Sequence, residues 1–257
     1  MNTDKRPLIL ISNDDSIAAP GLKVLIDCVS RIGDVIAVAP AEPHSGQSAA
    51  FTVNAPLRIL RQPNYNGARM YAVTGTPVDC VKLAMHHIVP RRPDLMLSGV
   101  NHGSNAGNSE IYSGTMGAAF EACMQGIPAV GYSLLHHAMD ADFSQTLPYI
   151  TSITEKVLAN GLPQGICLNV NFPSRVAIAG ARVCRSARSH WTEEYHEYLD
   201  PHGKPYWWLT GSMVNDEPQS TDTDLYWLDR RYASIVPVCP DRNALSAIPA
   251  LASLLDK

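Results

Sequence analysis

Short apolar runs alternate along this chain with longer stretches whose apolar residues recur every three or four positions. Leu8 to Ser12 is the first run, and Leu22, Leu25, Ile26 and Val29 follow at helical spacing. Val35 to Ala39 and Arg69 to Val73 are two more runs, the second leading into a helical pattern through Val78, Val81, Met85 and Ile88. Leu95 to Leu97 leads across a glycine-rich loop to a helix carrying Met116, Ala119, Phe120 and Cys123. Ala129 to Tyr132 and Ile166 to Val170 are strand candidates, with a helical stripe of Phe143, Leu147, Ile150 and Val157 between them. Apolar strands separated by amphipathic helices predict βαβ units and a sheet covered on both faces. The expected fold class is α/β, with a doubly wound, Rossmann-like and mostly parallel sheet.

The texture changes near residue 181. All four tryptophans, Trp191, Trp207, Trp208 and Trp227, lie in this later stretch with Tyr195, Tyr198, Tyr206, Tyr226 and Tyr232. Helical spacing returns only at Leu245, Ile248, Leu251 and Leu255. Aromatic, turn-punctuated sequence of this kind predicts hairpins that pack on a neighbouring subunit or on the main body. The expectation is one domain over residues 1–257, with a core to about residue 180 and a C-terminal hairpin and helix extension over about 181–257.

Composition narrows the classes. With 257 residues, 46% of them hydrophobic, the chain can bury a full core. A net charge of −4 supplies no basic face, so a nucleic-acid duplex is not an expected partner. No apolar run is long enough for a membrane span or a signal-peptide core, which points to a cytoplasmic protein without a membrane partner. Six cysteines (Cys28, Cys80, Cys123, Cys167, Cys184 and Cys239) without a C-x-x-C pair read as buried reduced thiols, Cys167 and Cys239 in strand-like sequence.

Three polar clusters follow strand ends, where a doubly wound sheet carries its chemistry. Asn13-Asp14-Asp15-Ser16 comes directly after the first strand. Adjacent aspartates there repel unless a cation neutralises them, and a hard divalent ion with oxygen ligands does so. Asp15 or Ser16 as a helix cap ahead of Pro20 is the plainer alternative. The second cluster, Pro40 to Ser48, offers His44, Ser45 and Ser48 from a loop fixed by two prolines and a glycine. Ser45 as a hydrolase nucleophile lacks the G-x-S-x-G elbow. The third runs from Ser98 through Asn108 and on to Tyr112-Ser113-Gly114-Thr115. Its glycines let backbone approach a ligand, and Ser113-Gly114-Thr115 opens a helix whose free N–H groups favour an anion. Metal and phosphate together, without a dinucleotide fingerprint or a Walker lysine, indicate hydrolysis of phosphate monoesters. Thr76-Pro77 with Asp79 reads as a helix cap, and the adjacent pairs His86-His87 and His136-His137 lack metal-ligand spacing.

The segments Ile9 to Asp15 with Ala19-Pro20-Gly21, Ala39-Pro40 with Ser45-Gly46, and Thr74 to Val81 resemble the SurE survival-protein family. So do Ser98-Gly99-Val100-Asn101, Tyr112 to Thr115, Thr221 to Asp224 and Tyr232 to Pro237, in order over about nine-tenths of the chain. The resemblance implies a phosphatase dependent on a divalent cation, Mg²⁺ or Mn²⁺, that acts on nucleoside 5′- and 3′-monophosphates. It implies Asp14, Asp15, Ser45 and Asn101 as metal ligands. Asn105, Ser113, Gly114 and Thr115 would hold phosphate or the attacking water, with Asp14, Asn105 and Ser113 as the catalytic set. Subunits of the family pair by exchanging C-terminal segments, implying a homodimer; whether dimers pair further in a homotetramer is left open by the sequence. Ser16 stands where the family has glycine, and the turn is expected to accept either residue. Glu110 stands near a position that is often acidic in the family and is given no role.

The ligand set implies water activated by the metal, with no covalent step. A phosphorylated Asp14 would need the D-x-D-x-T pattern, which Asp14 to Ala18 lacks. His102 is the residue to try as general acid for the leaving alcohol. Two other classes remain open: a non-catalytic nucleotide and metal sensor on the same fold, and a serine esterase using Ser45 and His44.

Overall fold

The computed structural model describes residues 6–138 and 140–255. Leu8–Ser12 forms β1, Pro20–Val29 α1, Asp34–Pro40 β2, Ile59–Tyr65 β3 and Ala68–Val73 β4. Then come α2 (Pro77–Leu83), β5 (Leu95–His102), α3 (Gly114–Met124), β6 (Ala129–Leu134), α4 (Leu147–Asn160) and β7 (Cys167–Phe172). The later chain makes β8 (Gly180–Val183), β9 (Ser189–Thr192), β10 (Tyr195–Leu199), β11 (Pro205–Leu209) and β12 (Ser212–Asn215). It ends with α5 (Asp224–Asp229), β13 (Tyr232–Val238) and α6 (Ile248–Leu255).

The main sheet has the order β3-β4-β2-β1-β5-β6-β7-β13-β8. Strands β4 to β7 of that order run parallel, β3 is an antiparallel edge, and β13 lies antiparallel to β7. β1 sends its side chains alternately to two cores. Ile9 and Ile11 pack with α1 and α4, while Leu8 and Leu10 pack with α2 and α3. A strand buried on both faces reads as a continuous apolar run, which is why β1 and β2 stand out in the sequence. Each such side chain removed from water contributes about 2 kcal/mol.

Strand order reverses between β1 and β5: β2 and β4 extend to one side of β1, and β5, β6 and β7 to the other. In such sheets the crevice at the carboxyl ends of the two strands flanking the reversal is the natural ligand site. α1 holds that crevice closed from one face. Its buried stripe is Leu22, Leu25, Ile26 and Val29, and Pro20 sits in its first turn. Gly21 meets the β5 backbone so closely that an added β-carbon would lie 2.0 Å from the Val100 carbonyl oxygen. On the opposite face, α2 opens with a reciprocal capping box between Thr76 and Asp79, as the sequence predicts, and Asp79 also accepts from Thr52.

Several elements differ from expectation. The helical stripe assigned from Phe143 begins as a helix only at Leu147; Phe143 is buried just before it. β3 is a strand that the apolar pattern does not reveal, and β13 is the strand-like stretch that leads to Cys239. β13, with Pro237 in it, reaches back to insert between β7 and β8, so the main sheet is completed by sequence far beyond residue 180. The hairpin β10–β11 and the pair β9–β12 stand outside the main sheet. All six cysteines are free, and Cys80, Cys123 and Cys167 are buried, but Cys239 lies exposed just past β13. Among the described residues no helix is long and apolar enough to cross a membrane.

Candidate active site

Three backbone segments converge at the crevice between β1 and β5. The residues after β1 carry Asp14 and Asp15, which the first strand delivers to the rim as it ends. The loop after β2 is pinned there by two hydrogen bonds, from Ile17 N–H to the Pro40 carbonyl and from His44 N–H to the Asp14 carbonyl, each 2.8 Å. β5 delivers Asn101 and His102, and the His102 N–H donates to Asp15 Oδ2 at 3.1 Å.

Asp14 is buried against the start of α3. Thr115 Oγ1 donates to Asp14 Oδ1 at 2.5 Å. Gly114 leaves room for the carboxylate, since an added β-carbon would lie 2.8 Å from Asp14 Cβ and 3.0 Å from its Oδ2. Burial, and after it the neighbouring charge of Asp15, push the Asp14 carboxyl up to about 6, although hydrogen bonds from Thr115 pull the other way. A positive charge beside both carboxylates relieves that cost.

Asp14, Asp15 and Asn101 offer oxygen donors to this crevice. Asn101 Nδ2 donates to the Gly103 carbonyl at 3.0 Å, which leaves its carbonyl oxygen for another partner. Asn13 Oδ1 is buried without a hydrogen-bond partner, while its Nδ2 is tied to the Ser16 carbonyl. Among the described residues no group of three or more His, Cys, Asp or Glu assembles. Two carboxylates with amide and hydroxyl oxygens suit a hard divalent cation and do not suit zinc or another soft ion.

The remaining sequence candidates are distributed as follows. Ser45 is exposed, one residue beyond the His44 amide that bonds to Asp14. The His44 ring nitrogen Nδ1 pairs with Gln47 Oε1 at 2.9 Å. Ser113 caps α3 by accepting from Met116 N–H, and α3 therefore directs its positive end at Asp14. Asn105 sits in a buried polar cluster with side chains of β6 and β7. Its N–H donates to Asn171 Oδ1, its Nδ2 to Ser133 Oγ, and its carbonyl accepts from Asn169 Nδ2, each at 2.8 Å. Ser133, Asn169 and Asn171 are not among the sequence candidates. They lie inside the apolar strands β6 and β7, where the only signal is a polar residue interrupting each run.

Two sequence expectations are corrected. Ser16 has φ +94°, so the turn after the aspartates does demand the left-handed region that favours glycine. His102 is not open to a leaving group: its side chain is 4% exposed and its Nδ1 lies 3.1 Å from Asp15 Oδ2. Burial raises the Glu110 carboxyl, which lies beside the Asn169 side chain. Asp224 is a further residue that the sequence does not single out by itself. It is buried and accepts from the N–H groups of Gly107, Ala187 and Leu225 at 2.8, 2.9 and 2.7 Å, locking the loop after β5 to the C-terminal part of the chain.

Comparison with known proteins agrees with this geometry. A family model described as survival protein SurE matches residues 9–193. The 5′-nucleotidase SurE of Phocaeicola vulgatus is 47% identical over 240 residues, covering 93% of each chain. That of Christiangramia forsetii is 46% identical over 254 residues, covering 97% of each. The crystal structure of the SurE protein from Aquifex aeolicus superposes with a TM-score of 0.83 at 31% identity, covering 96% of this chain and 99% of that one.

Proposed function

Because this chain belongs to the SurE family, we propose that it is a 5′-nucleotidase, a phosphoric monoester hydrolase that releases phosphate from nucleoside 5′-monophosphates and also from the 3′ isomers. The observation that carries this reading is the adjacent pair Asp14 and Asp15 at the strand-order reversal, with Asp14 buried against the N-terminus of α3. Asp14, Asp15, Ser45 and Asn101 would hold a divalent cation, Mg²⁺ or Mn²⁺. When bound, such an ion polarises a phosphoryl oxygen and lowers the pKa of a water towards neutrality.

The chain's own residues account for orientation. Thr115 fixes the Asp14 carboxylate by its hydroxyl, and Gly114 keeps the helix close enough for that bond. The N-terminal end of α3, with Ser113 and Gly114, supplies positive potential to equatorial phosphoryl oxygens. Asn105, held by Ser133, Asn169 and Asn171, would meet the phosphate or the attacking water.

We also propose a cytoplasmic homodimer formed by exchange of C-terminal segments, with a homotetramer as the open alternative. Supporting this, β10–β11 exposes Tyr195, Trp207, Trp208 and Leu209, and α6 exposes Ile248, Leu251 and Leu254. Apolar surfaces of this kind on a free subunit mark an interface. Light scattering at micromolar concentration should give at least twice the subunit mass; a monomer would contradict segment exchange.

The test of function is phosphate release from nucleoside 5′- and 3′-monophosphates with EDTA, then with added Mn²⁺ or Mg²⁺. Release that requires the cation is expected. Binding of nucleotide without release would favour a sensor, and chelator-insensitive turnover would count against the metal reading.

A further inference from the structure

We propose that His102 is a positioning residue for the cation site: its imidazole holds Asp15 in the one orientation that leaves the second carboxylate oxygen, Oδ1, free for the ion. The inference rests on the metal reading given under Proposed function, and concerns a residue to which that reading gives no part.

Both donors of His102 converge on one oxygen. Its backbone N–H and its Nδ1 each lie 3.1 Å from Asp15 Oδ2. Facing a carboxylate, Nδ1 carries the hydrogen and donates it. The other ring nitrogen, Nε2, is buried and has no hydrogen-bond partner. The ring edge packs at right angles on Phe143, with centroids 5.2 Å apart. An imidazole buried on an apolar ring with one nitrogen unsatisfied carries a desolvation cost at that nitrogen. What it secures is the orientation of Asp15. A carboxylate with one oxygen doubly hydrogen-bonded has a fixed rotamer, and its remaining oxygen points one way.

The neighbouring residues repeat the device. Asn101 has its amide nitrogen tied to the Gly103 carbonyl at 3.0 Å, so its carbonyl oxygen is the end presented to the crevice. Asn101-His102-Gly103, where β5 ends, thus orients two oxygens from two different strands. Asp14 on its own side is oriented by Thr115. Asp15 has no such partner from α3, and His102 takes that part.

The test compares three variants by calorimetric titration of the substrate-free protein with Mn²⁺, alongside thermal unfolding in EDTA. An asparagine side chain carries an N–H near the place of Nδ1, whereas glutamine carries one near Nε2. His102→Asn should therefore bind Mn²⁺ within about threefold of the unsubstituted protein. His102→Ala and His102→Gln should bind roughly 10- to 100-fold more weakly, while still unfolding cooperatively in EDTA. Unchanged Mn²⁺ affinity in His102→Ala would overturn the inference, and so would equal weakening in His102→Asn and His102→Ala. Failure of the unsubstituted protein to bind Mn²⁺ would overturn the metal reading and this inference together.

Discussion

Gly114 and Asp14 are in contact: a β-carbon on Gly114 would lie 2.8 Å from the β-carbon of Asp14. Helix α3 therefore approaches the acidic crevice to a distance that any side chain at its first position would prevent. Gly114→Ala is expected to push the Asp14 carboxylate from its bond with Thr115 and to lower kcat about 100-fold, the usual effect of misplacing a reacting group by an ångström. The sheet and core do not depend on this contact, so the circular dichroism spectrum should be unchanged. Normal turnover in the folded variant would show that Asp14 tolerates movement.

Asp14 makes the metal-free protein less stable at neutral pH. A carboxyl whose folded-state pKa exceeds its unfolded value favours the fold when protonated. That contribution is complete below pH 3.8 and lost once pH passes about 6. A rise from 3.8 to about 6 corresponds to roughly 3 kcal/mol. In EDTA at pH 8, Asp14→Asn should be the more stable protein by up to that amount, and the gap should shrink to a few tenths of it near pH 4. Urea denaturation at the two pH values measures both. The same variant should lose turnover by several orders of magnitude.

Ser16 has φ +94° in a buried turn. A left-handed backbone costs an L-residue about 1–2 kcal/mol, and the greater freedom of unfolded glycine returns part of that. Ser16→Gly should raise stability by up to about 1 kcal/mol. A lower urea midpoint would mean that the serine side chain makes a compensating contact.

Asp224 joins three segments through N–H groups of Gly107, Ala187 and Leu225. Asp224→Ala leaves buried donors without partners, at about 1–3 kcal/mol each. A loss of about 3 kcal/mol or more is expected, with faster proteolysis in the loop around Gly107. Unchanged protease sensitivity would show that the lock is not needed to order that loop.

The strands and helices legible in the sequence are those whose periodicity arises locally. β1 and β2 are apolar on both faces, and α1 repeats its apolar positions every three or four residues. Thr76 is readable as a cap because capping involves residues three positions apart. Asp14 and Asp15 are readable because two adjacent charges after a buried strand demand a counterion. What cannot be read is long-range pairing. Nothing near His102 in sequence reveals that Asp15, eighty-seven positions away, will face its ring. Asn169 and Asn171 look like breaks in an apolar strand until the topology sets them beside Asn105. β13 is strand-like in sequence, but nothing local shows that it will pair with β7 across the five strands and one helix that lie between them.

The insertion of β13 between β7 and β8, together with the Asp224 lock on Gly107, orders events during synthesis. A chain leaves the ribosome N-terminus first. Asp14, Asp15, Asn101 and the start of α3 emerge long before residues 224 and 232–238. The loop that follows β5 acquires its last three-way anchor only when Asp224 arrives, and the sheet gains its final internal strand later still. A nascent or prematurely terminated chain thus carries every acidic residue of the crevice without the brace that fixes the loop beside it, and the complete site is a property of the finished polypeptide.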